Sequence, residues 1–118
     1  MLQKSRANRQ MSATERTEVA ERVVAYLRRQ HPTNTAKHVA QRTGHNAETV
    51  QKLLERCSMP SGVFLLDLMV AYEADFLVEI MREAAPAWVA EAHRLSRQAA
   101  LEAQLAAVQT ELAALRGQ

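Results

Sequence analysis

The sequence predicts an all-α protein, in which a five-helix domain is followed by a long C-terminal helix with a short coiled-coil seam. Glycine and proline number only three each among 118 residues, so few residues interrupt a helix. Alanine and leucine, which are strong helix formers, are abundant. Apolar residues recur three and four positions apart, which is the period of one helical face. A chain of this length has room for one domain and an extension.

The first predicted helix begins at a capping box. The Ser12 side chain bonds the third helical amide, and Glu15 reaches back to the amide of Ser12. Pro32 disfavours helical geometry at His31 and ends the element. The apolar face of this helix consists of Val19, Ala20, Val23, Val24 and Leu27. Residues 1–11 contain three basic side chains and no acidic one, which predicts a mobile basic arm.

Two short helices are predicted next, on either side of a glycine. Asn34 or Thr35 caps the second helix, which Gly44 ends. A sharp turn into another helix requires a residue with positive φ, and glycine adopts that conformation at little steric cost. The segment "HNA" forms the turn, and a third helix is predicted over residues 47–56.

The second half of the chain is predicted to form three more helical segments. Ser61 caps a fourth helix, "GVFLLDLMVAY", and a short break at "EAD" leads to a fifth, "FLVEIMREAA". Pro86 marks a kink or a new first turn, after which nothing interrupts a helix over residues 87–115. The inward face of the fourth helix consists of Phe64, Leu65, Leu68, Met69 and Tyr72.

The C-terminal helix carries a heptad pattern with leucine at most of its a and d positions. In a parallel pair, Arg97 would face Glu102 of a second copy, and Glu111 would face Arg116. Residues 86–118 are therefore predicted to dimerise. The alternative is that this helix folds back on its own domain and buries the same seam. The strand direction and number are left open, and so is whether the domain, with Trp88, forms part of the interface. The seam consists of Leu101, Leu105, Val108, Leu112 and Leu115.

Charge is unevenly distributed along the chain, although the formal net charge is only +2 and the pI is about 9.0. Residues 1–60 carry eleven basic and five acidic side chains, a net charge of about +6. Residues 61–92 carry one basic and six acidic side chains, a net charge of about −5. If the chain binds a polyanion, the first half, which contains the basic arm and the glycine-centred segment, is where we expect it to bind.

The glycine-centred segment resembles the helix-turn-helix of the phage lambda repressor and Cro-like family, often called XRE-type. The matching positions are Thr35, Val39, Ala40, Gly44, Thr49 and Val50, at the family's spacing. Pro60 and Ser61, followed by a leucine-rich helix, match the next part of the family pattern. The resemblance covers roughly residues 12–84 and implies a helix-turn-helix DNA-binding domain over residues 12–85.

Two positions depart from the family pattern. The family commonly has glutamine where this sequence has Ala36, and a glycine that the segment "ERCSMP" lacks. Both departures affect the predicted DNA contacts and neither affects the motif core. That core consists of Val39, Ala40, Gly44, Val50 and Leu53.

The resemblance implies that the third helix enters the major groove of DNA. Gln51 is then placed to pair with adenine and Lys52 with guanine. The predicted base contacts are Asn46, Ala47, Glu48, Gln51 and Lys52. The predicted DNA backbone contacts are Thr35, Lys37, His38, Arg42, His45, Thr49, Arg28 and Arg29.

The sequence gives no support for an enzyme, a metal site or a cofactor. It contains no glycine-rich phosphate loop, and Asp67 is predicted to be a solvated surface acid. The histidines lack the close pairing of a zinc site. The single cysteine, Cys57, excludes an internal disulfide and fits a reducing cytoplasm. No signal peptide or membrane span is predicted, so we expect a cytoplasmic, nucleoid-associated protein.

Three functions are compatible with these patterns. The first is sequence-specific binding of double-stranded DNA by a bacterial or phage transcriptional regulator, which acts as a dimer on an inverted repeat. The second is a DNA-binding accessory factor in replication, recombination, partition or packaging, which docks a protein partner through residues 61–118. The third is a protein–protein interaction module that does not bind DNA.

Overall fold

The computed structural model describes residues 13–117, and within them the chain is helical without a strand. The helices are α1 (Ala13–Gln30), α2 (Thr35–Thr43), α3 (Ala47–Arg56), α4 (Gly62–Met81) and α5 (Ala87–Arg116), with a 3₁₀ turn at Arg82–Ala84 between the last two. The all-α prediction is confirmed. The predicted basic arm, residues 1–11, and Ser12 of the predicted capping box lie outside the described residues.

Helices α1 to α4 enclose one hydrophobic core, and α5 packs against α4. Full burial of a valine, leucine or phenylalanine side chain contributes roughly 1.5–3 kcal/mol, so these contacts dominate the stability of the fold. The predicted inward faces of the first and fourth helices are confirmed. Each of these four helices contributes side chains with no exposed surface: Val23, Leu27, Val39, Val50, Leu68 and Phe76.

The ends of the helices follow the local sequence with one exception. Gly44 has a φ of 80°, and its amide donates to the Ala40 carbonyl at 2.8 Å, as predicted for a sharp turn. Ser61 caps α4 by accepting a hydrogen bond from the Phe64 amide at 3.2 Å. Asn34 precedes α2 with a φ of 53°, but its side chain makes no capping hydrogen bond. The predicted side-chain cap of α2 is therefore wrong.

The predicted fourth and fifth helices are joined in α4, which is interrupted at the predicted break. Glu73 has a φ of 57° and a ψ of −144°, a backbone conformation that residues other than glycine rarely adopt. Beyond it, Phe76 and Ile80 are buried, so burial resumes in the second part of the helix. Pro86 then precedes α5 in extended geometry, which confirms a new first turn there.

Helix α5 begins against the domain and then leaves it. Val89 is fully buried, but every residue from 94 to 117 is exposed. The molecule accordingly measures 71 × 37 × 20 Å along its principal axes. We call residues 13–93 the folded unit and residues 94–116 the projecting helix. The alternative in which the C-terminal helix folds back on its own domain is wrong, because the seam residues remain 43–70% exposed.

Among residues 13–117, no helix combines the length and the apolarity that a membrane span requires.

Candidate nucleic-acid interface

The predicted motif core holds α3 against α2. Val39 and Val50 are fully buried, and Leu53 and its neighbour Leu54 are nearly so. Ala40 is partly buried beside them, which allows the two helices to approach closely. One face of α3 is thus fixed by packing, and the opposite face is presented to solvent.

The N-terminal end of α3 is capped by Asn46. Its side-chain oxygen accepts hydrogen bonds from the amides of Glu48 at 2.7 Å and Thr49 at 3.3 Å. These bonds satisfy two of the amides that a helix start leaves without a partner. Asn46 is predicted to contact a base, but in this structure its side chain instead fixes the first turn of α3.

The outer face of α3 presents the other predicted base-contacting residues. Ala47, Glu48, Gln51 and Lys52 are all exposed. The Gln51 side chain donates to Glu55 at 2.9 Å, in a surface hydrogen bond that a competing partner can replace at little cost. Lys52 has no hydrogen-bonding or ionic partner within residues 13–117, so its ammonium group is available to an anion or a base edge.

The turn before α3 is fastened to α4 by a pair that the sequence does not reveal. The His45 Nε2 lies 2.5 Å from the Asp67 Oδ2, and the His45 ring packs on Phe64 with the ring centroids 4.4 Å apart. Phe64 and Asp67 are one turn apart on α4. We call His45, Phe64 and Asp67 the turn clamp. Asp67, predicted to be a solvated surface acid, keeps 42% of its side chain exposed and also pairs with His45, so the imidazole of His45 is engaged within the chain.

Thr35 is a correction to the predicted DNA backbone contacts. It is 7% exposed, and its hydroxyl donates to the His31 carbonyl at 2.5 Å. A side chain that contacts a phosphate must lie on the surface, so Thr35 supports the start of α2 from inside. The following residues, Ala36 and Lys37, are buried and exposed, respectively.

His38 and Arg42 form a cluster with residues of α4 and of the loop after α1. The His38 ring stacks on His31 at a centroid distance of 5.3 Å, and the His31 Nε2 lies 2.8 Å from the Tyr72 hydroxyl. Burial, followed by the charges of His38 and Arg42, lowers the pKa of His31. The Arg42 guanidinium lies 4.4 Å from the centroid of the Tyr72 ring and donates to the Ala71 carbonyl. Both predicted backbone contacts are thus occupied within the folded unit.

The remaining predicted backbone contacts differ in availability. Arg29 pairs with Glu79 at 3.2 Å, whereas Arg28, Lys37 and Thr49 are exposed. The cations of Arg28 and Lys37 have no partner within the described residues. Arg56, at the end of α3, is also exposed without a partner there. The prediction omits it, although its spacing of four from Lys52 places the two on one helical face.

Four of the six acidic side chains of segment 61–92 lie beside a histidine or an arginine. Asp67 pairs with His45, Asp75 with His93 at 3.3 Å, Glu79 with Arg29 and Glu91 with Arg94 at 2.6 Å. Asp75 also accepts a hydrogen bond from the Tyr26 hydroxyl at 2.7 Å, and burial, with help from this acid, raises the pKa of Tyr26. The two arginine pairs, at Glu79 and Glu91, offset part of the negative charge that the segment would present to a polyanion.

A second exposed surface is apolar. Leu66 and Val70 on α4 and Trp88 on α5 are 60–78% exposed, and they border a groove of about 540 Å³ between the two helices. It lies apart from α3 in sequence and carries one acidic side chain, Glu73. Within the described part of the chain, no cluster of three or more histidine, cysteine or acidic side chains is arranged to hold a metal ion.

No protein-family model, curated protein or solved structure matches this chain. The chemistry of the candidate interface therefore follows from its own geometry. A short helix, capped and clamped at its start, presents an amide and an ammonium group one residue apart, and unpaired cations lie at its end and on the neighbouring helices. Such groups donate hydrogen bonds to base edges and neutralise phosphates.

Proposed function

We propose that this chain binds double-stranded DNA in a sequence-specific manner. The observation that carries the proposal is the outer face of α3, where exposed Gln51 and Lys52 stand on a helix whose inner face is fixed in the core. A rigid support is what direct readout of bases requires, because each bidentate contact depends on a fixed side-chain position. In this proposal the arrangement of α1 to α4 is that of the lambda repressor and Cro-like family.

In the proposed mechanism, α3 enters the major groove with its N-terminal end foremost. Gln51 exchanges its bond to Glu55 for a pair of hydrogen bonds to adenine, and Lys52 donates to guanine. Lys37 meets a phosphate at the start of α2, where no side chain caps the helix amides. Arg28 and Arg56 meet phosphates farther along the duplex.

The small number of base contacts that one α3 can make argues for binding by two copies of the chain. Each good bidentate contact discriminates by about 1–3 kcal/mol, so the few base-reading side chains of one α3 select a site weakly. Two copies on an inverted repeat double the number of contacts. We therefore propose a bacterial or phage transcriptional regulator that acts as a dimer, by occluding a promoter or contacting polymerase.

Selection of bound sequences from a random duplex pool tests this function. We expect an enriched motif with two-fold symmetry, and we expect Gln51→Ala and Lys52→Ala each to weaken binding to that motif about tenfold. Gln30→Ala is the control for the first variant. Arg94→Ala, which removes the same charge far from α3 in sequence, is the control for the second. A pool without enrichment, or equal effects of all four variants, contradicts the proposal.

The exposed groove beside Trp88 favours a second candidate function. A DNA-binding accessory factor would use α3 for duplex and the groove for a protein partner. It predicts duplex binding that weakens steeply with salt but enriches no sequence. The third candidate, a protein–protein module, predicts no binding to duplex at low salt.

A further inference from the structure

The apolar seam of the projecting helix does not continue the face with which α5 packs on the folded unit. Leu101 lies twelve residues beyond buried Val89, which places it about 120° farther round a straight helix. Trp88, beside the groove, lies about 140° from Leu101 on the same basis. The seam therefore points away from both apolar surfaces of its own chain, and no other part of residues 13–117 covers it.

We propose that two copies of this chain pair through the seam as a parallel, two-stranded coiled coil over residues 98–116, with both folded units at the same end. The occupant is a second copy because the flanking charges complement themselves. In the heptad register, Arg97 and Glu111 fall at g positions, and Glu102 and Arg116 fall at e positions. A parallel pair places g against the e position five residues later in the partner, which brings opposite charges together twice on each side.

The flanking side chains are available for these contacts. Arg97, Glu111 and Arg116 are exposed and have no hydrogen-bonding or ionic partner among residues 13–117. Glu102 only accepts a 3.3 Å hydrogen bond from Gln98. Toward its start the seam meets Arg94 and Glu91, which pair with each other, so the apolar contact ends where the helix reaches the folded unit.

The choice of parallel over antiparallel pairing rests in part on the proposed DNA binding, because the direction sets the distance between the two folded units. In an antiparallel pair centred on the seam, the two starts of α5 would lie roughly 60 Å apart at 1.5 Å per residue. Half-sites one helical turn apart are about 34–36 Å apart. Parallel pairing brings both folded units to one end of the coiled coil, within reach of neighbouring major grooves.

Charge-reversal variants test the pairing of the g and e positions, with the dimer dissociation constant measured by sedimentation equilibrium. We expect a concentration-dependent dimer and about a fivefold rise in its dissociation constant for Glu111→Arg, because an attractive pair becomes repulsive on both sides. The double variant Glu111→Arg/Arg116→Glu restores the pair and should return to within about twofold of the wild type. Antiparallel pairing would not restore it. A trimer, a tetramer or a persistent monomer overturns the proposal.

Disulfide trapping tests the direction of the strands. In a Cys57→Ser background, Leu115→Cys places two thiols within bonding reach in a parallel pair, since a disulfide needs Cβ atoms about 3.5–4.5 Å apart. In an antiparallel pair centred on the seam they would lie roughly 20 Å apart along the axis. Ala103→Cys, on the outer f position, is the matched control. Cross-linking of both variants alike, or of neither, contradicts parallel pairing.

Fluorescence of Trp88, the single tryptophan, separates the seam from the groove. Dilution through the dimer transition should leave its emission unchanged, because Trp88 lies outside the seam. An emission shift on dissociation would identify the groove as the interface and overturn the proposal. A parallel dimer that does not bind DNA would support the coiled coil and contradict the proposed function. A monomer that binds DNA specifically would support the DNA binding and contradict the coiled coil.

Discussion

The folded unit and the projecting helix use the same apolar residue types in opposite environments. Leu27, Val50 and Leu68 have no exposed surface, whereas the five seam residues are 43–70% exposed. The difference lies in where the complementary surface is found. The apolar faces that form the core of α1 to α4 meet other helices of the same chain. The heptad seam meets none within residues 13–117, and Leu66 and Val70 on α4 are exposed as well. The spacing of apolar residues therefore predicts that a segment is helical and which of its faces is apolar. It does not say which molecule covers that face.

The two regions also owe their helical structure to different causes. Helices α2 and α3 have nine and ten residues, too few for stable helices in isolation, so their packing on α1 and α4 must stabilise them. Helix α5 has 30 residues and is rich in alanine, which favours a helix without tertiary contacts. Changes in the two regions should therefore have very different effects on the free energy of unfolding.

The largest expected effect is a loss of stability from a core substitution. Leu68→Ala should lower the free energy of unfolding of the folded unit by about 2–5 kcal/mol, because a fully buried side chain is replaced by a cavity. Leu105→Ala, the same change on the projecting helix, should alter it by less than about 0.5 kcal/mol in the monomer. Urea unfolding followed by the near-UV circular dichroism of the tyrosines measures both. Similar losses in the two variants would mean that the seam packs on the folded unit.

The turn clamp offers a sharper test within the folded unit. In a double-mutant cycle of His45→Ala and Asp67→Ala, we expect a coupling energy of about 1 kcal/mol, because the pair is partly buried and spans two elements. Faster hydrogen exchange of the first α3 amides should accompany either change. Gln51 and Glu55, an exposed pair on one helix, are the control and should couple by about 0.2–0.5 kcal/mol. Equal coupling in both cycles would remove the special role of the clamp.

The sequence is sufficient for features that depend on a few neighbouring residues. Gly44 ends α2, Ser61 caps α4, and the break at residues 73–75 is seen at Glu73. The exposure of Gln51 and Lys52 follows from the helical period around Val50. Such features are predictable because turn chemistry and amphipathic spacing act locally.

The sequence is insufficient for contacts between distant residues. His45 and Asp67 are 22 positions apart, and Arg42 and Ala71 are 29 apart. Their meeting depends on how α2 and α3 cross α4, which no local pattern specifies. The same reason explains the burial of Thr35, whose side chain would be exposed on an isolated helix. His38, Arg42 and His45 likewise contact other parts of the chain, although they keep exposed surface.

A substitution at Glu73 should raise stability. Its positive φ with a ψ of −144° costs a residue with a Cβ about 1–3 kcal/mol, and glycine avoids most of that cost. We expect Glu73→Gly to raise the free energy of unfolding by about 1 kcal/mol. Glu18→Gly, an exposed position inside α1, should lower it by about 0.5–1 kcal/mol. Destabilisation by both changes would mean that Glu73 is not strained.

The smallest expected effect is a pH dependence confined to the folded unit. Burial lowers the pKa of His31 in the folded state, so the unfolded chain binds its proton first as pH falls. Stability is then complete above the ordinary histidine pKa of about 6.5 and declines below it. The urea concentration at the unfolding midpoint should decrease as the pH is lowered from 7.5 to 5.5. The variant His31→Gln should show a smaller decrease. No histidine follows His93 in the chain, so seam-mediated association should change little over this range. If the urea midpoint of His31→Gln depends on pH as steeply as that of the wild type, other groups set the pH dependence. If association changes with pH as the stability of the folded unit does, the two regions are coupled.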